Sequence, residues 1–480
     1  MKIKSLRSLL FNISQRKNFL KGSFNFLCLT IALFAWSCAT KTVQSDLPFE
    51  TPETFSHSGT MELPEKWWLS FEDSTLNEIV RQALDSNLNL ITALKRYEAA
   101  QAVVDRESSS LFPQVSGFVQ SAFSRPEPDF VGGENVQFGL RASYEVDVWG
   151  RIRAQIDAEE YRATAAYNDM KAAAISLSAE ITTVWYRLEA AAVQLQILQQ
   201  QAETNQKILK LIRARFGSGQ IRAVDILRQQ QLVESTLQQQ YAVETQLALL
   251  KNQLAVLLGE TPQNMQQPEL DSLPSLPPLP QTGIPAELIT RRPDVQASFS
   301  ALKAADRELA AAISNQYPRL TLNTNLSFRS NNFQNLFDNY AYSLAGNLLA
   351  PIFYGGQLSA EVDRTEAVKD QRFYEYGQTV LVAFREVEDA LVQENKQKEI
   401  IEALTQQVKL ADKVSRQLRV EYFNGLSDYL AVLTALNQEQ QLRRDLITAR
   451  LNLLEFRISL YRALAGGFEV RAETEEEPVN

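Results

Sequence analysis

The 480-residue chain contains one long segment twice, and few folds can be built that way. NLNLITALKRYEAAQ from Asn87 and then LFPQV are echoed about 205 residues later by RPDVQASFSALKAAD and YPRL. GRIRAQID from Gly150 returns as GQLSAEVD from Gly356, and RFGSGQIRAVDIL (Arg215 to Leu227) as EYFNGLSDYLAVL (Glu421 to Leu433). Solenoid repeats have units of at most about 50 residues, so this period marks a duplicated half-domain. Each copy has the same order of parts: a helical pattern (Leu76 to Leu111, then Pro285 to Gln316), a pair of strands, a very long helix, a Gly-containing turn, and a second helix ending in LLG or LAGG.

The long helices exclude a compact core. No Gly or Pro occurs between Arg151 and Phe216, and Gly217-Ser218-Gly219 ends the run. At 1.5 Å per residue it spans roughly 100 Å. The second copy, Gln357 to Asn424, is interrupted only by Gly377, a cost of about 1 kcal/mol relative to Ala. Ile152, Ile156, Ile175, Ala179, Val184, Leu188, Leu195 and Leu198 recur at spacings of three, four and seven among Gln and charged residues, the pattern of a long coiled coil with one wet face. Ala163, Ala165, Ala166, Ala172 to Ala174 and Ala190 to Ala192 allow close backbone approach. Gln220 to Leu258 and Leu426 to Leu464 read as returning helices, so each copy holds an antiparallel helical hairpin.

Between the helices lie four strand patterns. Phe138, Leu140, Ala142, Tyr144, Val146 and Val148 alternate with polar residues, as do Leu320, Leu322, Thr324, Leu326 and Phe328; Val115 to Phe123 and Tyr340 to Leu348 are the weaker partners. Alternation of period two taken alone favours a half-buried soluble sheet, and it also fits a membrane barrel strand, lipid on one face and water on the other. Four strands are half of the smallest membrane barrel, and lipid does not tolerate open edges, so a barrel here has to be shared by several chains. Tyr144, Trp149, Tyr340, Tyr342 and Tyr354 fall where an interfacial aromatic belt lies.

Residues 1–37 carry six cations and no acid, followed by an apolar run from Phe24 to Trp36 that is too short to span a bilayer, the layout of a secretory signal. Cys38 follows it, either as a lipidated first residue or as an incidental cysteine behind an ordinary signal. The other cysteine, Cys28, lies inside the signal, so a chain starting at Cys38 has neither an internal disulfide nor a thiolate metal site. The net charge of -9 becomes -15 once the six cations are removed, which speaks against nucleic acid as a partner. The sequence offers no catalytic constellation, no metal-ligand cluster and no cofactor motif. His57 stands alone, and Glu386-Val387-Glu388-Asp389 reads as a solvated helix face.

KWWLSFEDSTLNEIVRQAL, FPQVS, YPRLT, YEVDVWGRIR, RRPDV, the two Gly turns, LYRALAGG and the lipobox-like Cys38 together resemble the outer-membrane efflux protein family, TolC-like exit ducts, and most closely the lipoprotein branch of RND-type tripartite systems. The resemblance covers about residues 38 to 468. It implies a fold that is mostly α with a membrane β-barrel: a homotrimer in which four strands per chain complete twelve, above a hollow periplasmic cylinder of helices. It implies as partners a periplasmic adaptor protein, an inner-membrane pump and outer-membrane lipid, and makes the protein no enzyme. The corresponding division is a signal peptide at 1–37, a lipid-anchored segment at 38–73, the first repeat at 74–259, a Pro-rich equatorial linker at 260–285, the second repeat at 286–467 and an acidic tail at 468–480. By the same resemblance Gly217, Ser218, Gly219, Gln220, Asn424, Gly425, Leu426 and Ser427 are adaptor-docking tips, although a chain reversal alone also explains glycine there. The periplasmic aperture falls on Leu430, Thr434 and Asn437, where family members often carry acidic rings; Leu430 reads as a hydrophobic constriction or as packing between helices. A type I protein-secretion duct shares the architecture, and a periplasmic coiled-coil adaptor lipoprotein shares the helical hairpins without the duplicated strand pairs.

Overall fold

The computed structural model describes residues 47–62, 64–122, 135–263, 273–330, 333–464 and 468. The expected signal peptide, Cys38, part of the Pro-rich linker and nearly all of the acidic tail lie outside these residues.

The two initial helical patterns are each split by a local signal. Helix α1 (Ser74–Ser86) starts at Asp73, whose carboxylate accepts from the Leu76 N–H, and stops at Asn87. The Asn87 side chain then accepts from the N–H groups of Asn89 and Leu90 and so caps α2 (Leu88–Ser108). In the second copy Pro293 performs the division, because the residue before a proline is driven out of the helical region. Helix α5 (Pro285–Arg291) ends there and α6 (Pro293–Ser314) begins.

Strands β1 (Gln114–Ala122), β2 (Asn135–Val146), β3 (Arg319–Ser330) and β4 (Tyr340–Leu349) form one antiparallel sheet in sequence order. The two hairpins are therefore joined through β2 and β3, from Val136 opposite Ser330 to Val146 opposite Leu320. Directly behind the sheet start α3 (Arg151–Gly217) and α7 (Gln357–Phe423), each 67 residues long. Gly150 and Gly356 precede them with φ of 74° and 87°; a Cβ there would meet no neighbour, so backbone conformation alone requires glycine. The returning helices are α4 (Ala223–Leu257) and α8 (Tyr429–Leu464).

Helix α3 packs against α2, α4, α6 and α8, whereas α7 packs against α6 and α8. The helices thus form a wall ordered α2, α3, α6, α7 beside the sheet and α4, α3, α8, α7 away from it. Among the described residues both margins of this wall are open, as are β1 and β4. Midway along it, Trp67, Trp68, Phe71, Trp185, Tyr186 and Tyr461 form a buried cluster. Trp67 stacks on Tyr461 at 5.4 Å, and the Trp185 indole N–H donates to Asp73 at 2.7 Å. Phe468 joins this core against Trp68 at 4.9 Å.

Candidate functional site

Register gives the sheet two chemically different faces. On one, Val119, Phe138, Phe328 and Tyr340 stand in a row, as do Tyr144, Leu322 and Gly346, and Val146, Leu320 and Leu348. Val115, Val119, Leu140, Leu322, Tyr340, Tyr342, Leu344 and Leu348 of this face are exposed in the single chain, while most of its apolar residues on the central strands are half-buried. The opposite face carries mainly Ser, Thr, Asn, Gln and Arg, with Glu145, Phe118, Ala341, Ala345 and Leu349 among them. An extensive exposed apolar face needs a non-aqueous neighbour. Its height, about eight positions between Val146 and Phe138, is roughly 27 Å along the strand and matches a lipid-facing band once the strands tilt. Aromatic rings mark both ends: Trp149 stacks on Tyr317 at 5.0 Å beside the helices, and Phe138, Phe328, Phe337 and Tyr340 cluster at the far end.

About 100 Å from the sheet the two helical turns repeat one geometry. The Gln220 N–H donates to Arg215 O and the Gly219 N–H to Phe216 O; the Leu426 N–H donates to Glu421 O and the Gly425 N–H to Tyr422 O. Gly219 and Gly425 take φ of 76° and 72°, so each turn is a helix stop of the Schellman kind. Gly217, grouped by sequence with the tip glycines, has no positive φ and is simply the last residue of α3. Gly217, Ser218, Gly219, Gln220, Asn424, Gly425 and Leu426 are all exposed, and Ser427 is half-buried. The Arg215 guanidinium lies 5.2 Å from both the Tyr422 and Phe423 rings and ties one tip to the other.

Leu430, Thr434 and Asn437 share one exposed face of α8 at spacings of four and three. Leu430 is 43% exposed, so in the single chain it is not packed between helices; the Thr434 hydroxyl donates to Leu430 O and adds no outward charge. Behind them runs a buried polar ladder. Tyr429 OH donates to Gln229, Gln229 to Asn205 O at 2.8 Å, Gln440 to Asn205 Oδ1 at 3.0 Å, and Arg444 to Gln201 at 2.6 Å. Burial, with Tyr422 and Asp225 nearby, pushes the Tyr429 phenol up, so it stays a neutral donor. The glutamines expected on a wet face are in part this ladder, because coiled-coil spacing cannot distinguish a buried amide that has a partner from a solvated one.

Midway along the wall the Pro-rich linker gains specific contacts and two expectations change. Pro277 and Pro278 carbonyls accept from Arg457 at 2.6 and 2.8 Å, and the fully buried Arg457 also forms a bidentate pair with Glu394 at 2.7 Å. Burial opposes ionisation of Glu394, but the hydrogen bonds and charge of Arg457, aided by Lys398, outweigh it and hold the carboxyl below its usual range. The acidic run is not a uniformly solvated face. Glu386 pairs with Arg292 at 2.8 Å, Glu388 accepts the Ser56 N–H at 2.8 Å, and only Asp389 makes an exposed pair, with Arg385. Gly377 is more than a tolerated interruption: a Cβ there would come within 2.8 Å of Pro48 Cγ, so it seats the N-terminal segment on α7.

Comparison with known proteins places this architecture. The outer membrane efflux protein family profile matches residues 79–260 and 284–466. The chain belongs to that family. The pyoverdine export outer membrane protein OpmQ of Pseudomonas putida is 26% identical over 463 residues, covering 93% of this chain and 98% of that protein. The cation efflux system protein CusC of Escherichia coli O6:H1 is 26% identical over 460 residues, 92% and 98% of the two chains. Among solved structures, the outer-membrane channel OprN superposes with a TM-score of 0.79 at 25% identity, over 87% of this chain and 98% of that one. The CmeC outer membrane channel of Campylobacter jejuni shares the fold at a TM-score of 0.82 and 22% identity, over 89% and 94%. The family member described here is thus mostly helical with a four-stranded sheet, the fold of these channels.

Proposed function

We propose that three copies of this chain close one twelve-stranded barrel in the outer membrane, continued by a helical tube that passively conducts solutes delivered by a periplasmic adaptor and an inner-membrane pump. The observation that carries this is the sheet: one face apolar, one polar, two edges open, set at the end of a helical wall whose margins are open as well. A threefold closure pairs β1 with a neighbouring β4 and α4 with a neighbouring α7, removing every edge that lipid forbids. The exposed tips Gly217–Gln220 and Asn424–Ser427 are then the surfaces for the adaptor. Leu430, Thr434 and Asn437 line the aperture, and Leu430 narrows it.

Cys38 is the acylated first residue of the mature protein. Pro48 touches α7 at Gly377, about 30 Å along the helix from the sheet, and the ten residue steps from Cys38 to Pro48 reach at most about 36 Å. An acyl group on Cys38 therefore lies within reach of the membrane that holds the sheet. Pyoverdine and cations appear in the names of relatives, so the main choice of cargo belongs upstream of the duct.

Native mass measurement in detergent tests both parts, with three chains and an acyl-modified Cys38 as the expected result. A stable monomer rejects the shared barrel; an unmodified N-terminus rejects the anchor alone.

A further inference from the structure

The polar face of the sheet carries three arginines at three heights. Arg319 stands opposite Leu349 at the end near the helices, Arg141 opposite Ser116 and Asn325, and Arg329 opposite Gln137 near the far end. Strand spacing puts Arg141 roughly 20 Å beyond Arg319, and Arg329 roughly 14 Å beyond Arg141. Glu145 is the one carboxylate of this face among the described residues, and Arg151 neutralises it at 2.9 Å. In a chain of net charge -9, this positive surface is a local feature and not a consequence of composition.

Arg141 has a built seat. Phe118 lies directly opposite Gly139, and a Cβ on Gly139 would come within 2.4 Å of Leu326 O and 2.9 Å of the Phe118 ring. The missing side chain makes room for that ring, and the Arg141 guanidinium rests over it at 5.1 Å. Stacking fixes the cation by its face and leaves its N–H edges open to an oxyanion. No carboxylate pairs with Arg141 or Arg329 among the described residues.

We infer that the barrel interior is an anion-selective exit segment in which a threefold ring of Arg141 binds polyvalent oxyanions such as phosphates. This rests on the reading of the polar face as the lumen of a trimeric barrel. Twelve strands tilted by about 40° enclose a backbone diameter of roughly 24 Å, and guanidinium groups reaching roughly 6 Å inward leave the axis about 6 Å from each of them. That distance is inside the Debye length of about 10 Å at 0.1 M salt and outside the value of about 3 Å at 1 M. Charged rings of this kind are how pores select anions.

Full-length protein in planar bilayers, with inorganic tripolyphosphate added to each side in turn, tests the inference. At 0.1 M KCl, tripolyphosphate applied at the barrel end should block conductance, and the block should disappear at 1 M. Arg141→Gln should weaken it at least tenfold, and Arg141→Lys should retain most of it. Arg329→Gln, at a second height of the face, provides an independent reduction in chloride over potassium permeability. Channels that conduct normally but resist tripolyphosphate, or are blocked equally in wild type and Arg141→Gln, would overturn the anion site while leaving the duct intact. A preparation that forms no channels would overturn the trimeric duct and this inference with it.

Discussion

The two copies share a backbone plan and differ in what surrounds them. Helices α3 and α7 have equal length, begin at Gly150 and Gly356, and end in matching turns at Gly219 and Gly425. Yet α3 is the centre of the wall, with neighbours on both sides, while α7 is its margin. Leu188 is fully buried in α3, and its counterpart in α7 is Glu394, also buried but ionised and paired with Arg457. The comparison teaches that duplication fixes lengths and turns, whereas position in the wall fixes which polar groups can be buried. A marginal helix has fewer apolar neighbours, and here a charged clamp joins it to α8 and to the linker carbonyls.

Removing one half of that clamp should give the largest effect. Arg457→Ala leaves Glu394 buried without its main partner and strands two carbonyls, a loss of about 3–5 kcal/mol. Replacing both members with apolar residues, Glu394→Leu with Arg457→Met, restores at 394 the residue type of copy one, leaves no unpaired buried charge and should cost far less. Denaturant unfolding in detergent distinguishes them. Equal losses for the single and the double variant would show that the clamp is valued for its linker contacts and not for its charge balance.

Acid gives the next effect. Because Glu394 titrates below its unfolded value of about 4.3, its contribution is fully present above that pH and is lost as pH falls through the lower folded value. Wild-type melting temperature should therefore be insensitive to this group from pH 5 to 8 and decline below about pH 4. The apolar double variant should show a shallower decline in the same window; parallel curves would assign acid sensitivity to other carboxylates.

The turns should answer symmetrically, and more weakly. Gly219→Ala and Gly425→Ala each force a residue with a Cβ into the left-handed region, at about 1–2 kcal/mol, with no clash added because nothing lies near either Cβ. Gly217→Ala should be neutral or slightly stabilising, since that position is ordinary helix end. Hydrogen exchange at the tips reads this directly. A loss at 217 as large as at 219 would mean that the turn needs glycine for contact and not for conformation.

These differences also show what was legible in the sequence. Helix lengths, turns and strand alternation are local properties, so Arg151, Gly219 and the period of β2 and β3 announced themselves. Leu430, Thr434 and Asn437, which the resemblance implied for the aperture, fall on one exposed stripe because helical spacing is local too. Arg457, Gly377 and the Asn205 ladder were not legible, because their roles depend on partners far away in the chain: Glu394, Pro48, Gln229 and Gln440. Charge and amide content reveal that such residues exist; only the fold reveals which of them meet.

The smallest expected effect separates the copies at the aperture. Leu430 has Val224 as its counterpart, similarly exposed at 40%, while Thr434 corresponds to Arg228, which faces the buried Asp225. If the second copy's returning helix lines the opening, Leu430 forms an apolar ring there without acidic neighbours, and such a ring resists ions by dewetting. Leu430→Ala should then raise single-channel conductance, Val224→Ala should leave it unchanged, and divalent cations should block neither. A rise for Val224→Ala instead would assign the constriction to the first copy. Strong divalent block would require an acidic ring that neither returning helix presents on this face.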